Sequence, residues 1–361
     1  MARKSVGIRD VARAAGVSVT TVSHVLNDTP HTRVSEETKK KVRDAAAALG
    51  YGPNRMAQGL RTQRSAMLGL LSEDIATTPH AGMIIKGAEE TARKHDYTLV
   101  IINTDKDADP ASKHRDVDAL LERQVDGILY ATMYHRAVSL PPRLFEIPAV
   151  LIDATDRTGL VPCTVPDERG GARTAVMALL EAGHRRIGFV NNTDDVPATH
   201  GRLEGYRDAL KAAGIDFDPG LVAARESEAA GGYEAALEQL DRPDRPTALF
   251  CYNDRMAMGA YRAAAQLGLA IPQDLSVIGF DNQELIATGL HPGLTTMALP
   301  HYDMGAWAVE TLIRLIDGHA EEKLLADRPT LLPCPLVRRD SIAPPRDTTR
   351  KPAPDPHPPT D

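Results

Sequence analysis

The sequence predicts a small all-α helix-turn-helix head followed by an α/β core of two lobes, each a parallel, doubly wound sheet. Three observations predict it. The first 64 residues hold 12 Lys or Arg against 5 Asp or Glu, a net of +7, whereas the rest of the chain carries a net of −14. Apolar residues in that basic segment recur with a helical period. From residue 65 onward, short apolar runs alternate with amphipathic stretches, and the alternation restarts near residue 168.

At 361 residues and 42% hydrophobic content, the chain is long enough for two or three domains with sizeable cores. No apolar run reaches the roughly 18–20 residues of a membrane helix. The N-terminal segment has no continuous apolar block, so no secretory signal is expected. Cys163, Cys251 and Cys334 show neither zinc nor redox spacing, and a reducing cytoplasmic setting is expected. A basic head on an acidic body suggests a nucleic-acid-binding end.

In the head, Ile8, Val11, Ala12 and Ala15 form one helical face. Gly16 suits a left-handed stop, and Ser18 suits the N-cap of a second helix with Val22, Val25 and Leu26 as its apolar stripe. That pair, joined by a short turn, is a helix-turn-helix. A third helix is expected after Ser35, with Glu36 and Glu37 in its first turn, Val42, Ala46 and Leu49 facing inward, and Gly50 as its stop. The second helix is small-sided and lacks acidic residues, as a helix lying in a major groove about 12 Å wide needs to be. Thr20, Thr21 and Ser23 offer hydroxyls to phosphates or base edges. Val19 suits a thymine methyl, and His24 suits a purine edge.

The stretches IRDVARAAGVSVTTVSHVLN and VSEETKKKVRDAAAALGYGPNRMAQGLRT resemble the head of the lac repressor/purine repressor family of bacterial regulators. The resemblance implies that Val19, Thr20 and His24 read bases and that Ser23, Asn27 and Ser35 contact phosphates. His24 stands where many members carry Arg. Residues 53–61, PNRMAQGLR, are too short to be a stable helix alone. By the resemblance they are a hinge helix, flanked by Arg55, Arg61 and Arg64, that folds when two copies pair in the minor groove. Ala57 and Leu60 match the positions that enter the groove, with Leu60 as the apolar wedge. The resemblance thus divides this end into a DNA-binding domain over 1–50 and a hinge over 51–64.

In the body, strands are expected at AMLGLLS, YTLVIIN, GILYA, PAVLID, IGFVN, TALFCY and DLSVIGFD. Helices are expected near 82–94, 111–123, 168–182, 202–213, 231–240, 254–267 and 301–317, so that right-handed crossovers build parallel sheets. MIIKGAEETARKHDYTL, RQVDGILYA, GHRRIGFV, GRLEGYRDAL, NDRMAMGA, VIGFDN and GLTTMALP resemble the effector-binding core of the same family. The resemblance implies a periplasmic-binding-protein-like core over 65–340, with three crossing segments and a ligand cleft between the lobes. Lobe 1 is placed at about 65–164 plus 293–324, and lobe 2 at about 165–292 plus 325–340.

Phosphate-loop, dinucleotide, nucleophile-elbow and zinc-protease motifs are absent, so neither an enzyme, a metal site nor a cofactor is expected. His184 reads as a turn residue before a strand, and His291 and His301 lack metal spacing. Candidate cleft residues sit at element ends: Asp153, Asp281, Asn253 and Arg202. Two carboxylates, an amide and a guanidinium suit a polyhydroxylated ligand. Asp254 is expected as a helix cap, a role Asp281 also allows. By the resemblance Ser227 occupies the place of an aromatic platform, and His80, after Pro79, that of a Phe. With only 4% aromatic residues, the cleft is short of stacking surface. Residues 341–361 are rich in Pro and charge and read as a disordered tail.

The reading is a cytoplasmic, nucleoid-associated homodimeric transcription regulator, most simply a repressor of carbohydrate-related genes. Its partners are a two-fold symmetric double-stranded DNA operator and a small polar effector, a sugar or sugar derivative. The alternatives are a constitutive DNA-binding regulator without effector, a cytoplasmic solute-binding protein, and an enzyme on a doubly wound fold. The basic head argues against the second, and the lack of a catalytic constellation against the third.

Overall fold

The computed structural model describes residues 6–27, 33–51, 64–78, 81–105, 107–319 and 329–346. The chain divides into two compact units, Met1–Met67 and Leu68–Asp361.

The first unit holds three helices, α1 (Ile8–Ala15), α2 (Val19–Leu26) and α3 (Glu36–Leu49). Their ends are set locally. Gly16 takes a left-handed conformation (φ +67°) and stops α1. The hydroxyl of Ser18 accepts from the Thr21 amide at 3.0 Å, and that of Ser35 from the Thr38 amide at 3.2 Å, which caps α2 and α3. Gly50 (φ +62°) stops α3. Val11, Ala12, Val22, Val25, Val42 and Ala46 form the core, with Ile8, Ala15, Leu26 and Tyr51 packed on it. Leu49, expected to face inward, is 37% exposed. The chain reverses at Gly50, the Tyr51 amide bonds back to the Ala46 carbonyl, and the Tyr51 ring joins the core instead.

The second unit is two lobes. Lobe 1 begins with β1 (Met67–Glu73), α4 (Gly82–Lys94), β2 (Thr98–Thr104), α5 (Pro110–Glu122), β3 (Gly127–Val138), β4 (Ala149–Asp156) and β5 (Cys163–Pro166). The chain then crosses to lobe 2: α6 (Glu168–Glu181), β6 (Ile187–Asn192), α7 (Pro197–Ala212), β7 (Val222–Arg225), α8 (Ala229–Leu240), β8 (Ala248–Cys251), α9 (Asp254–Gln266), β9 (Ser276–Asp281), α10 (Glu284–Ala287) and β10 (Thr295–Ala298). It returns to lobe 1 as α11 (His301–Ile316) and β11 (Thr330–Leu332), and ends in lobe 2 with β12 (Leu336–Val337).

Each lobe is a six-stranded sheet, ordered β2-β1-β3-β4-β5-β11 and β7-β6-β8-β9-β10-β12. The pairings are parallel except for β10 with β12. Strands buried on both faces read as nearly continuous apolar runs, which is why they were legible. One face of the first sheet buries Leu68, Leu70, Leu129, Ala131, Val150 and Ile152 against α4 and α11. Those two helices meet backbone to backbone: a Cβ at Gly87 would lie 2.0 Å from the Tyr302 carbonyl oxygen. The core of lobe 2 is larger and includes the stacked rings of Phe189, Phe250 and Tyr206.

Two boundaries differ from expectation. The strand Thr295–Ala298 pairs with β9, so the return to lobe 1 comes after Ala298 rather than near 293. The strand Thr330–Leu332 pairs with β5, so the last crossing comes after Leu332 rather than near 325. Residues 341–343, expected to belong to a disordered tail, are held in lobe 2 instead. Ser341 is buried and donates to the Val277 carbonyl at 2.6 Å while accepting from the Thr295 amide at 2.8 Å. The Ala343 amide donates to Ser276 Oγ at 3.0 Å, and His184 Nε2 donates to the Ala343 carbonyl at 2.9 Å. These bonds tie residues 341–343 to lobe 2; the Pro-rich stretch 347–361 lies outside the described residues.

Candidate functional site

In the first unit, Val22 and Val25 point into the core, so the opposite face of α2 carries Val19, Thr20, Ser23 and His24. Val19 and Thr20 are exposed, and Ser23 and His24 are half-buried. Asn27, one turn on, donates its amide to Ser23 Oγ at 3.2 Å, which puts two of the expected phosphate contacts side by side. The third, Ser35, spends its hydroxyl as the cap of α3 but stays exposed. The helix holds no acidic residue, and its N-terminus faces outward with Val19 and Thr20. Arg55, Ala57 and Leu60 lie outside the described residues, as do Pro79 and His80.

In the second unit, three of the sequence-predicted residues, Asp153, Arg202 and Asp281, come near one another between the lobes. Arg202, on the second turn of α7, is 3% exposed. Its Nε donates to Glu168 Oε2 at 2.7 Å, its Nη1 donates to the Tyr252 carbonyl, and its Nη2 lies 3.6 Å from Asp281 Oδ1. The guanidinium lies between the rings of Phe280, 3.8 Å from the centroid, and Tyr252, 4.4 Å away. Asp153, expected at a strand end but inside β4 of lobe 1, which runs on to Asp156, is equally buried. It takes a left-handed backbone (φ +56°), and its carbonyl accepts from Thr132 Oγ1 at 2.6 Å. Its side-chain Oδ1 has no hydrogen-bond partner among the described residues. Burial pushes the Asp153 carboxyl well above the usual carboxylate range. Glu168 and Asp281 add to the effect, and Arg202 opposes it. Asp153 of lobe 1 therefore lies within electrostatic reach of Glu168, Arg202 and Asp281 of lobe 2.

Asn253 plays a different part. Its Oδ1 caps α9 by accepting from the Met256 amide at 2.8 Å, and its Nδ2 donates to the Ser227 carbonyl at 3.0 Å. The amide is thus engaged with backbone, and it fixes the loop that carries Ser227. Asp254, expected as the cap, is instead fully buried. It accepts from Thr296 Oγ1 at 2.6 Å and from the Gln283 amide at 2.7 Å. Burial, with Asp281 adding to it, pushes its carboxyl up to about 8. Asp281 and Asn282 both have positive φ (+106° and +54°), and the Gln283 bond to Asp254 clamps the loop just beyond them. Glu168, Tyr252 and Asp254 were not singled out by sequence as cleft or support residues. Glu168 had one signal, its place directly after a crossing, at the start of α6.

One guanidinium and three carboxyl groups, one of which carries an unpartnered buried oxygen, offer hydrogen-bonding capacity at this place. Among the described residues no group of three or more His, Cys, Asp or Glu side chains is arranged to hold a metal ion.

The profile of a family described as bacterial regulatory proteins, lacI family, matches residues 7–54. A periplasmic binding protein-like domain matches residues 176–342. The HTH-type transcriptional regulator RegA of Clostridium saccharobutylicum is 35% identical over 337 residues, covering 92% of this chain and 98% of that protein. The ribose operon repressor of Escherichia coli strain K12 is 35% identical over 311 residues, covering 86% and 92%. Among solved structures, the lac repressor dimer bound to operator and the anti-inducer ONPF superposes with a TM-score of 0.74 at 29% identity, covering 94% of this chain and all of that one. The complex of the transcriptional regulator CelR with cellobiose gives 0.62 at 27% identity, covering 93% and 100%.

Proposed function

The chain belongs to the lacI family of bacterial regulatory proteins, and from that premise we propose that it is a repressor controlled by a small polyhydroxylated effector. It is a sequence-specific DNA-binding transcription regulator. The repressed genes are carbohydrate-related, in keeping with relatives such as the ribose operon repressor. Two copies read the halves of an inverted-repeat operator, each through Val19, Thr20 and His24, with Ser23, Asn27 and Ser35 on phosphates. Arg55, Ala57 and Leu60 widen the central minor groove, where a pyrimidine–purine step lowers the cost of bending. The protein acts in the cytoplasm, at the nucleoid, and carries no catalytic activity.

One observation supports the effector reading above the rest. Asp153 Oδ1 is a buried, unpartnered oxygen of lobe 1, and the Arg202–Glu168–Asp281 cluster of lobe 2 lies within electrostatic reach of that carboxyl. A buried polar atom without a partner costs about 1–3 kcal/mol, and a ligand hydroxyl that satisfies it draws the lobes together. A change in the angle between lobes then biases DNA binding by about 1–3 kcal/mol in typical cases. The test is operator binding by the full chain with and without candidate sugars. A ligand that shifts operator affinity in the wild type but not in Asp281→Asn supports the reading. A shift that survives this substitution contradicts it.

A further inference from the structure

Lobe 1 carries a second charged cluster beside the cleft. Glu73, the last residue of β1, is fully buried. It accepts from the Tyr130 hydroxyl, from Lys113 Nζ at 2.7 Å and from Arg136 Nη2. A single buried carboxylate thus gathers two cations. Lys113 also lies near Asp105 and Asp107, which favour its charge against burial. Arg136 has Glu73 as its one ion-pair partner among the described residues. That bond uses one of its five N–H donors. Its side chain is 28% exposed, and none of its nitrogens is sealed from water without a partner.

Arg136 lies beside the Asp153 segment of lobe 1. After an irregularity between Ala131 and Arg136, β3 pairs Arg136 with Ala154, the residue that follows Asp153. Strand β3 also touches α7 of lobe 2, the helix that carries Arg202. The cluster around Asp153 has three carboxyl groups for one guanidinium, and Arg136 is a nearby cation with donors left to offer. In lobe 2, Arg202 is engaged by Glu168, Asp281 and the Tyr252 carbonyl.

We propose that Arg136 is a specificity residue that receives an anionic oxygen, of a carboxylate or a phosphate, on the effector. Glu73 is its positioning residue, and the hydroxyls of the same molecule meet Asp153, Arg202 and Asp281. The inference rests on the cleft reading above and adds the ligand's class: an acidic or phosphorylated sugar rather than a neutral one.

The test is calorimetric titration of the full chain with matched probes: ribose against ribose 5-phosphate, and glucose against glucose 6-phosphate and glucuronate. In at least one pair the anionic member binds about tenfold tighter or better than the neutral one. In Arg136→Gln the ratio of the two affinities falls by about tenfold to a hundredfold, the worth of a hydrogen bond to a charged group. Arg136→Lys, which keeps the charge and guards against a folding defect, retains part of the ratio. The phosphate and uronate arms identify which anion is taken. Equal or tighter binding of the neutral members, a ratio insensitive to Arg136→Gln, or no binding of any anionic member overturns the proposal. Asp281→Asn keeps the two readings apart. If it weakens both members of a pair while the ratio ignores Arg136, only this inference fails. If it weakens neither, the cleft reading itself fails.

Discussion

Arg202 Nε donates to Glu168 Oε2 at 2.7 Å, and both side chains are buried where lobe 2 meets Asp153. The pair ties α7 to the first turn of α6, directly after the chain has crossed between lobes. Removing Glu168 leaves the buried guanidinium with Asp281, 3.6 Å away, as its remaining carboxylate partner, and breaking a buried pair costs up to about 3–5 kcal/mol. Glu168→Ala is therefore expected to lower the urea midpoint strongly, whereas Glu168→Gln, which keeps an acceptor for Nε, costs less. Equal midpoints for wild type and Glu168→Ala would show that the pair contributes nothing.

The raised carboxyl of Asp254 makes stability depend on pH. Its folded value, about 8, lies above the ordinary carboxylate value near 4, so the folded state binds the extra proton between them. The contribution is fully present below about pH 4 and is lost as pH rises through about 8. Urea midpoints at pH 5, 7 and 9 should fall more steeply for wild type than for Asp254→Asn. Parallel pH profiles would remove Asp254 from the account.

Ser18 supplies a capping bond to α2. Ser18→Ala should destabilise that helix by about 1 kcal/mol. In the full chain this appears as amide exchange in α2 about fivefold faster, with exchange in the lobes unaltered. Unaltered protection of α2 would mean the cap is energetically idle.

His24 shares the outward face of α2 with Val19 and Thr20. His24→Ala should weaken binding to the preferred operator by about 1–3 kcal/mol and binding to random DNA much less. His24→Arg should shift the preference at one position of each half-site toward guanine. Equal losses on both DNAs would assign His24 to phosphate contact instead.

The head was legible because its punctuation is local. Gly16, Ser18, Ser35 and Gly50 act within one turn of their own helices, and the structure places each as a stop or a cap. Leu49 was misread because Tyr51, beyond the stop, folds back over the core. In the body, strand–helix alternation was plain, but β11 and β12 are too short to carry a pattern, and their sheets are chosen by partners more than a hundred residues away or by an antiparallel edge. That is why the crossings were displaced. Asp281 was found because it ends β9, whereas Arg202 and Asp153, expected at element ends, lie on the second turn of α7 and inside β4. Asn253 took the cap expected of Asp254, since sequence alone does not say which of two adjacent cap-forming residues turns inward. Glu168 looked like any first-turn acid until the fold set it against Arg202.

The central claim is that the chain reads a specific two-fold DNA sequence. The most direct measurement is selection of bound sites from a random double-stranded DNA library by the purified full chain at physiological salt. The account predicts enrichment of an inverted repeat of about 14–20 base pairs with a central pyrimidine–purine step. Retention of DNA without an enriched sequence, with affinity set by salt alone, would contradict it.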